Sequence, residues 1–257
     1  MTQWPESESN WFTLSNELTT QTNQKIADFL SETDLSVETK FFPQQAHWFL
    51  CDTLLLANQA NREGMHANAL SLTRQCIEAI SIIELGLCKH NEAEAILVKW
   101  NNQKISAGEI RRWLESNVWS KYGTGLWAEP WNIYFAKLSR AVQPYAHYSS
   151  QLAQWQHRLV GNLGEGTPEK MIIEIGPRQY DPQKATRITL FHVLITYTMS
   201  RIWLASSGIK DRNFESLVLQ AGEALGKSTF LDGHQTNWEQ QFWATVLFDG
   251  QPMPKGR

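Results

Sequence analysis

Arg140 and His147 are the two side chains whose types and spacing point most directly to chemistry. They lie seven residues apart, so on an unbroken helix they would differ by only about 20° around the axis and face the same way. Pro144 lies between them and cannot donate a hydrogen bond to the carbonyl of Arg140, so we expect a kink that frees this carbonyl. Arginine carries a fixed, fork-shaped positive charge, and histidine exchanges protons near neutral pH. The pair could therefore bind an anionic group and move a proton beside it.

A second set of charged residues lies within an otherwise apolar segment. Arg74 and Glu78 are four residues apart and can pair along one helix face, whereas Glu84 lies about 80° to the other side of Arg74. A charge in such a helix needs a partner or a solvated cavity, because burying it unpaired costs several kcal/mol. Two interpretations stay open. The charges form an internal network that orients helices, or they line a polar cleft.

A phosphate-loop-like string and two His/Cys pairs give weaker indications of function. The sequence of residues 221–228, AGEALGKS, satisfies a relaxed phosphate-loop pattern, but the segment before it looks helical and only 29 residues follow. We therefore interpret it as a helix end, closed by Gly226 with Lys227 nearby. Two His/Cys pairs could share a metal, but neither has the spacing of a structural zinc site, so we expect no metal. These pairs are His47 with Cys51, and Cys88 with His90.

The elements that must position these residues are helices. Residues 63–88 form the strongest segment, apolar nearly all round, which is typical of a central helix. We expect further helices along the chain, including one that continues over 151–160 and one over 235–248. At most one short extended segment is predicted, near 171–175, so the fold class is an all-α, multi-helix bundle. The chain reads as one domain over 1–257, with a possible division at the Gly/Pro-rich loop 161–170 into parts 1–160 and 171–257.

Composition and charge narrow the functional classes. The net charge is −3, with seven acids and two bases in residues 1–40, and 19 acids against 21 bases in the remainder. This offers no basic field for coating duplex DNA. Three cysteines without a C-x-x-C pair fit a reducing, cytoplasmic setting. Residues 1–11 lack the features of a signal peptide, and the apolar stretch 190–205 is shorter than a membrane span, so we expect no membrane association.

The combination of these residues resembles the HEPN proteins, compact helical domains common in bacterial toxin and phage-defence systems. In that family an arginine is followed, after four to six residues, by a histidine, as Arg140 is by His147. The pair Arg74 and Glu78 on a central helix, and Ser149 two residues after His147, add to the resemblance, which spans roughly residues 43–160. The resemblance implies RNA cleavage without metal or other cofactor, at a site formed across a homodimer. Arg140 and His147 would be the catalytic pair, supported by the other three residues.

The resemblance also implies how RNA would be bound. The ribose 2′-hydroxyl attacks the neighbouring phosphate, so a histidine can move protons and an arginine can hold the phosphate oxygens. Tyr145 and Tyr148 could stack on an unpaired base, and Lys104, Arg111 and Arg112 could contact phosphates.

An alternative from a different functional class stays open. The chain could be a non-catalytic, protein-interaction subunit of a bacterial defence complex, in which the same polar residues only fix the packing of the helices. Some of its twelve tryptophans, together with the acidic segment 1–40, would then bind a partner protein.

Overall fold

The computed structural model describes residues 7–162, 171–176 and 178–228. The described residues are predominantly helical, which confirms the all-α class. Two short 3₁₀ turns, Trp119–Lys121 and Gln143–Tyr145, connect longer elements. The helices are α1 Glu8–Ser31, α2 Phe41–Arg62, α3 His66–Leu87, α4 Ala93–Asn101, α5 Ala107–Asn117, α6 Trp131–Val142, α7 Ser150–Gln154, α8 Pro182–Ser207 and α9 Arg212–Lys227.

Local sequence accounts for where several helices begin and end. A capping box opens α5: the Ser106 side chain accepts from the Glu109 backbone, and the Glu109 side chain accepts from the Ser106 backbone. Asp181 caps α8, followed by Pro182 in the first turn. Gly208 then ends α8 in the left-handed conformation, with φ of 70°. These signals are local in sequence and coincide with the observed helix boundaries.

Two helices form the centre of the bundle. The predicted central segment 63–88 is present as α3, whose side chains are buried along most of its length. α8 is buried to a similar extent and packs against α1, α3 and α9. By length and composition α8 could cross a membrane, but 83% of its most apolar window is buried in the bundle, and core helices pass the same test.

Residues 157–175 differ from the expectation. The extended segment near 171–175 is present as β2, Met171–Ile175, but it pairs antiparallel with a second strand, β1, His157–Asn162. The prediction of at most one extended segment, and of a helix continuing to residue 160, is wrong at this point. A single strand would leave its backbone N–H and C=O groups unpaired, and folding the chain back on itself supplies their partners.

The phosphate-loop-like string lies in helical structure, as expected. α9 runs to Lys227, and the Lys227 ammonium pairs with Glu223 at 2.6 Å. Residues 163–170, within the predicted boundary loop, and the predicted helix 235–248 lie outside the described residues. The division at 161–170 therefore stays a prediction, although described helices on both sides of it share one hydrophobic core.

Candidate functional site

A cleft of about 730 Å³ brings together several of the predicted polar residues. Its polar wall contains Arg74 and Glu78 from α3, Gln143 from the 3₁₀ turn after α6, and His147 just beyond that turn. Its apolar wall includes Phe42 and Phe49 of α2, Trp100 of α4 and Ile110 of α5. The cleft therefore has the mixture of aromatic surface and converging polar groups that is typical of ligand sites.

Arg74 is the best-anchored charge in this cleft. Its Nη2 donates to Glu78 at 3.0 Å, and its Nε and Nη2 both donate to Gln143 Oε1, at 3.2 and 3.0 Å. The predicted Arg74–Glu78 pair is confirmed, and it lies on the polar wall of the cleft, with the Glu78 side chain 61% exposed. The Nη1 group of Arg74 makes no hydrogen bond within the described part of the chain. Two N–H donors of a fixed guanidinium are thus available to a bound anion.

Gln143 is the residue that the sequence analysis missed. Its amide oxygen accepts two hydrogen bonds from Arg74, although the two residues are 69 positions apart. No local pattern marks it, because a glutamine before a proline in a turn is ordinary. Its role depends on the packing of α6 against α3.

A second guanidinium lies behind Arg74. Arg111 of α5 donates to Ser139 Oγ at 3.1 Å and lies over the Phe135 ring at 5.2 Å. Burial, followed by the nearby Arg74 charge, lowers the pKa of Arg111, and Glu78 opposes that shift. Two cations beside one carboxylate leave this part of the cleft with excess positive charge. Arg111 is half-buried and packed against protein groups, and its contact with an RNA phosphate stays a prediction.

His147 and Arg140 occupy different positions relative to the cleft. His147 is exposed in a bend and lines the cleft, whereas Arg140 is exposed in the last turn of α6 and is not among the lining residues. Pro144 interrupts the helix as predicted, but the Arg140 carbonyl is not left free, because it accepts from the Gln143 backbone N–H. The guanidinium that shares the cleft with His147 is therefore that of Arg74.

Ser149 supports the bend that carries His147. Its hydroxyl donates to the Pro144 carbonyl at 2.9 Å and accepts from the Leu152 backbone N–H at 3.2 Å as the N-cap of α7. The structure thus gives Ser149 a positioning contact, consistent with the supporting role that was predicted for it.

The predicted RNA contacts divide into exposed and buried residues. The Tyr148 ring is 78% exposed, and Lys104 and Arg112 are exposed near the start and middle of α5. Tyr145 corrects the prediction: its ring is 5% exposed and packs edge-on against Trp155 with centroids 6.1 Å apart. In this arrangement a base cannot stack on Tyr145, because its ring is part of the core.

Glu84 is separate from the cleft. Its Oε1 accepts from Trp119 Nε1 at 2.8 Å, in a fully buried position. Burial raises its pKa to about 8, and hydrogen bonds from Tyr122 and Trp119 offset only part of that shift. The carboxyl is therefore largely protonated at neutral pH and is structural.

The His/Cys pairs do not assemble into a larger cluster. His47 Nε2 lies 3.4 Å from Cys51 Sγ, and burial raises the thiol pKa to about 11. Across the residues that the structure describes, no group of three or more His, Cys, Asp or Glu side chains is placed to hold a metal ion.

Comparisons with models of protein families, with curated proteins and with solved structures find no match for this chain. Any assignment of function therefore depends on the geometry of the cleft.

Proposed function

We propose that the protein is a HEPN-like, metal-independent endoribonuclease of a bacterial toxin or defence system, and that the Arg74–His147 cleft binds its RNA. The observation that carries the proposal is that His147 shares the cleft with the anchored guanidinium of Arg74. A proton carrier and a fixed anion-binding group in one cleft are the minimum that phosphodiester cleavage needs.

The chemistry uses the ribose 2′-hydroxyl of the substrate as the nucleophile. His147 accepts the hydroxyl proton as the 2′ oxygen bonds to phosphorus, the bond to the 5′ oxygen breaks, and water supplies a proton to the leaving oxygen. The two free N–H groups of Arg74 Nη1 bind the non-bridging oxygens as negative charge develops on them. Glu78 and Gln143 hold the guanidinium in place, so it need not reorganise during the reaction.

The surroundings of the cleft suit an unpaired RNA strand. Phe49, 47% exposed, and Trp100 give a base an aromatic surface. Arg140 lies one helical turn before Gln143, and we assign it to an adjacent phosphate rather than to the reacting one. We assign the exposed side chains of Lys104, Arg112 and Tyr148 to further contacts with the same RNA, outside the cleft. The proposal includes a cytoplasmic homodimer that uses no cofactor.

The test is cleavage of a pool of structured and unstructured RNA in the presence of EDTA. We expect wild-type protein to cut, His147→Ala and Arg74→Ala to be inactive, and Arg140→Ala to retain part of the activity. Arg212→Ala is the matched control, because Arg212 is an exposed arginine of α9 outside the cleft. Silence of the folded wild-type protein, or full activity of His147→Ala, would overturn the proposal.

A second candidate function, the interaction subunit, is favoured by one observation. Phe41, Trp48 and Leu55 are spaced seven residues apart on α2, so they share one helix face, and they are 45%, 58% and 66% exposed. Such an apolar row is typical of a protein-binding surface. If this is the function, Trp48→Glu removes self-association or partner binding in light scattering, while Leu219→Glu, at an exposed apolar site on α9, has no effect.

A further inference from the structure

A groove of about 340 Å³ lies between α1 and α2, away from the cleft, with α8 beneath it. α1 contributes five uncharged polar side chains at helical spacing, so they form one face about 140° wide. These residues are Ser15, Asn16, Thr19, Thr20 and Asn23. Asn58 of α2 faces them, with its Nδ2 3.5 Å from Asn16 Oδ1, and His192 of α8 also lines the groove.

The charge of this groove limits what it can bind. Among the described residues that line the groove, Asp52 is the one carboxylate and there is no lysine or arginine. A phosphate or carboxylate ligand would meet this like charge, while the nearby cation Arg62 is engaged by Asn58 Oδ1 and the Phe12 ring. A divalent cation would find one carboxylate where such ions prefer several oxygen ligands held together. The groove therefore favours a neutral ligand that both donates and accepts hydrogen bonds.

Two buried side chains have hydrogen-bonding capacity that the protein does not use. Ser15 is 5% exposed, and its hydroxyl has no hydrogen-bond partner within the described part of the chain. His192 is 2% exposed and uses its Nε2 with Thr73 Oγ1 at 2.9 Å. Since the Thr73 hydroxyl proton is donated to the Ala69 carbonyl, Nε2 of His192 carries the proton here, and Nδ1 remains an acceptor.

Neither the Ser15 hydroxyl nor His192 Nδ1 is among the fully buried side-chain atoms that lack a partner, so solvent in the groove reaches both, and a ligand would replace that water. Both Ser15 and His192 line the groove, so a ligand that reaches its floor could satisfy them. The apolar side chain of Leu54, which also lines the groove, gives such a ligand a surface for its C–H groups. Because the groove volume lies at the lower end of the range for small-molecule sites, the ligand is small.

We propose that the groove between α1 and α2 binds a neutral, hydroxyl-rich small molecule of monosaccharide size. This site is independent of the proposed ribonuclease cleft: no residue lines both.

Saturation-transfer NMR on the full chain tests the site with D-glucose, D-ribose and myo-inositol, each at about 10 mM, a concentration that detects millimolar affinity. The phosphate monoester of glucose is the charged comparison. We expect signals from at least one neutral compound and a weaker signal from the phosphate ester. No signal from any of the three neutral compounds, or an equal or stronger signal from the phosphate ester, would overturn the proposal.

Two variants locate the binding. Thr20 is exposed, so Thr20→Trp should fill the groove without disturbing the core and should abolish the signal. Thr20→Val keeps the shape but removes the hydroxyl, and the loss of one hydrogen bond predicts about two- to tenfold weaker binding. Thr13→Val, on the same helix outside the groove, is the control and should leave binding unchanged. If both Thr20 variants melt like wild type and bind as it does, the groove is not the site.

Discussion

His147 and His66 show how differently the same side chain is used in two regions of the molecule. His147 is exposed beside an arginine with free donors, in a cleft open to solvent. His66 is 2% exposed, and both of its ring nitrogens are occupied. One histidine is open to a ligand, whereas both ring nitrogens of the other are bonded within the fold.

The network around His66 is closed. Its Nε2 accepts from the Asp181 backbone N–H at 3.1 Å, so its Nδ1 carries the proton and donates to Asn61 Oδ1 at 2.9 Å. The Asn61 amide then donates to the Ala185 carbonyl and to Thr189 Oγ1. These bonds connect the end of α2, the start of α3 and the start of α8. The chain therefore uses this histidine to fix the register of three helices.

Hydrogen-bond saturation, rather than residue type, distinguishes a candidate site from a structural network. In the His66 network every named donor and acceptor has a protein partner. In the cleft, three hydrogen bonds hold Arg74 in place, and its Nη1 makes none within the described residues.

The buried histidines should make the folded protein sensitive to acid, and we expect this change in stability to be larger than those below. Burial lowers the pKa values of His47, His66 and His192 to about 4. These folded-state pKa values lie below the unfolded value of about 6.5. The contribution of the three neutral histidines to stability is therefore complete above pH 6.5 and is lost as pH falls towards 4. Each histidine should cost up to about 1.4 kcal/mol of unfolding free energy per pH unit in that window. Urea unfolding between pH 7 and pH 5 measures the slope.

A variant of one buried histidine tests that slope. His192→Gln should show a shallower dependence of the unfolding free energy on pH than wild type. Equal slopes in the two proteins would contradict the assignment of acid sensitivity to the buried histidines.

Substituting the two compared histidines by alanine should give opposite phenotypes. His66→Ala leaves Asn61 Oδ1 and the Asp181 N–H without a partner, so we expect a loss of about 3 kcal/mol of unfolding free energy. His147→Ala should change stability by less than about 0.5 kcal/mol. In the RNA cleavage assay the order reverses, since loss of a proton-transfer group costs about 10²–10⁴-fold. A destabilised His147→Ala protein would show that His147 is structural too.

Glu84 is a buried carboxyl whose raised pKa affects stability in the opposite direction to the buried histidines. Burial raises its pKa to about 8, above the unfolded value of about 4.3, so its stabilising effect is complete below pH 4.3 and is lost as pH rises to 8. Glu84→Gln keeps an oxygen that accepts from Trp119 but cannot ionise. Its unfolding free energy relative to that of wild type should rise by about 1.4 kcal/mol per pH unit as pH increases from 4.3 to 8. Thermal unfolding at pH 5 and pH 8 tests this.

The parts that the sequence predicts are those that depend on local patterns. Ser106 and Glu109 have the spacing of a capping box and form one, Arg74 and Glu78 form the expected pair, and the apolar segment becomes the central helix α3. The missed features depend on contacts between distant segments. Strand β1 forms because β2 pairs with it, and the Tyr145 ring is buried by Trp155. Neither outcome has a signal in the neighbouring residues.

Gln143 gives the smallest predicted effect and tests how far the cleft depends on its anchoring bonds. Gln143→Ala removes the amide oxygen that accepts two hydrogen bonds from Arg74 but leaves the pair with Glu78. The guanidinium therefore stays in the cleft with more freedom of orientation. We expect about a tenfold fall in kcat for RNA cleavage, worth about 1.4 kcal/mol, with little change in KM or melting temperature. Gln143→Glu should restore most of the rate, because a carboxylate oxygen accepts the same two bonds. If Gln143→Ala is fully active while Arg74→Ala is not, the bond to Glu78 alone orients Arg74. Arg74 would then depend on one anchoring bond, unlike the several bonds of the His66 network.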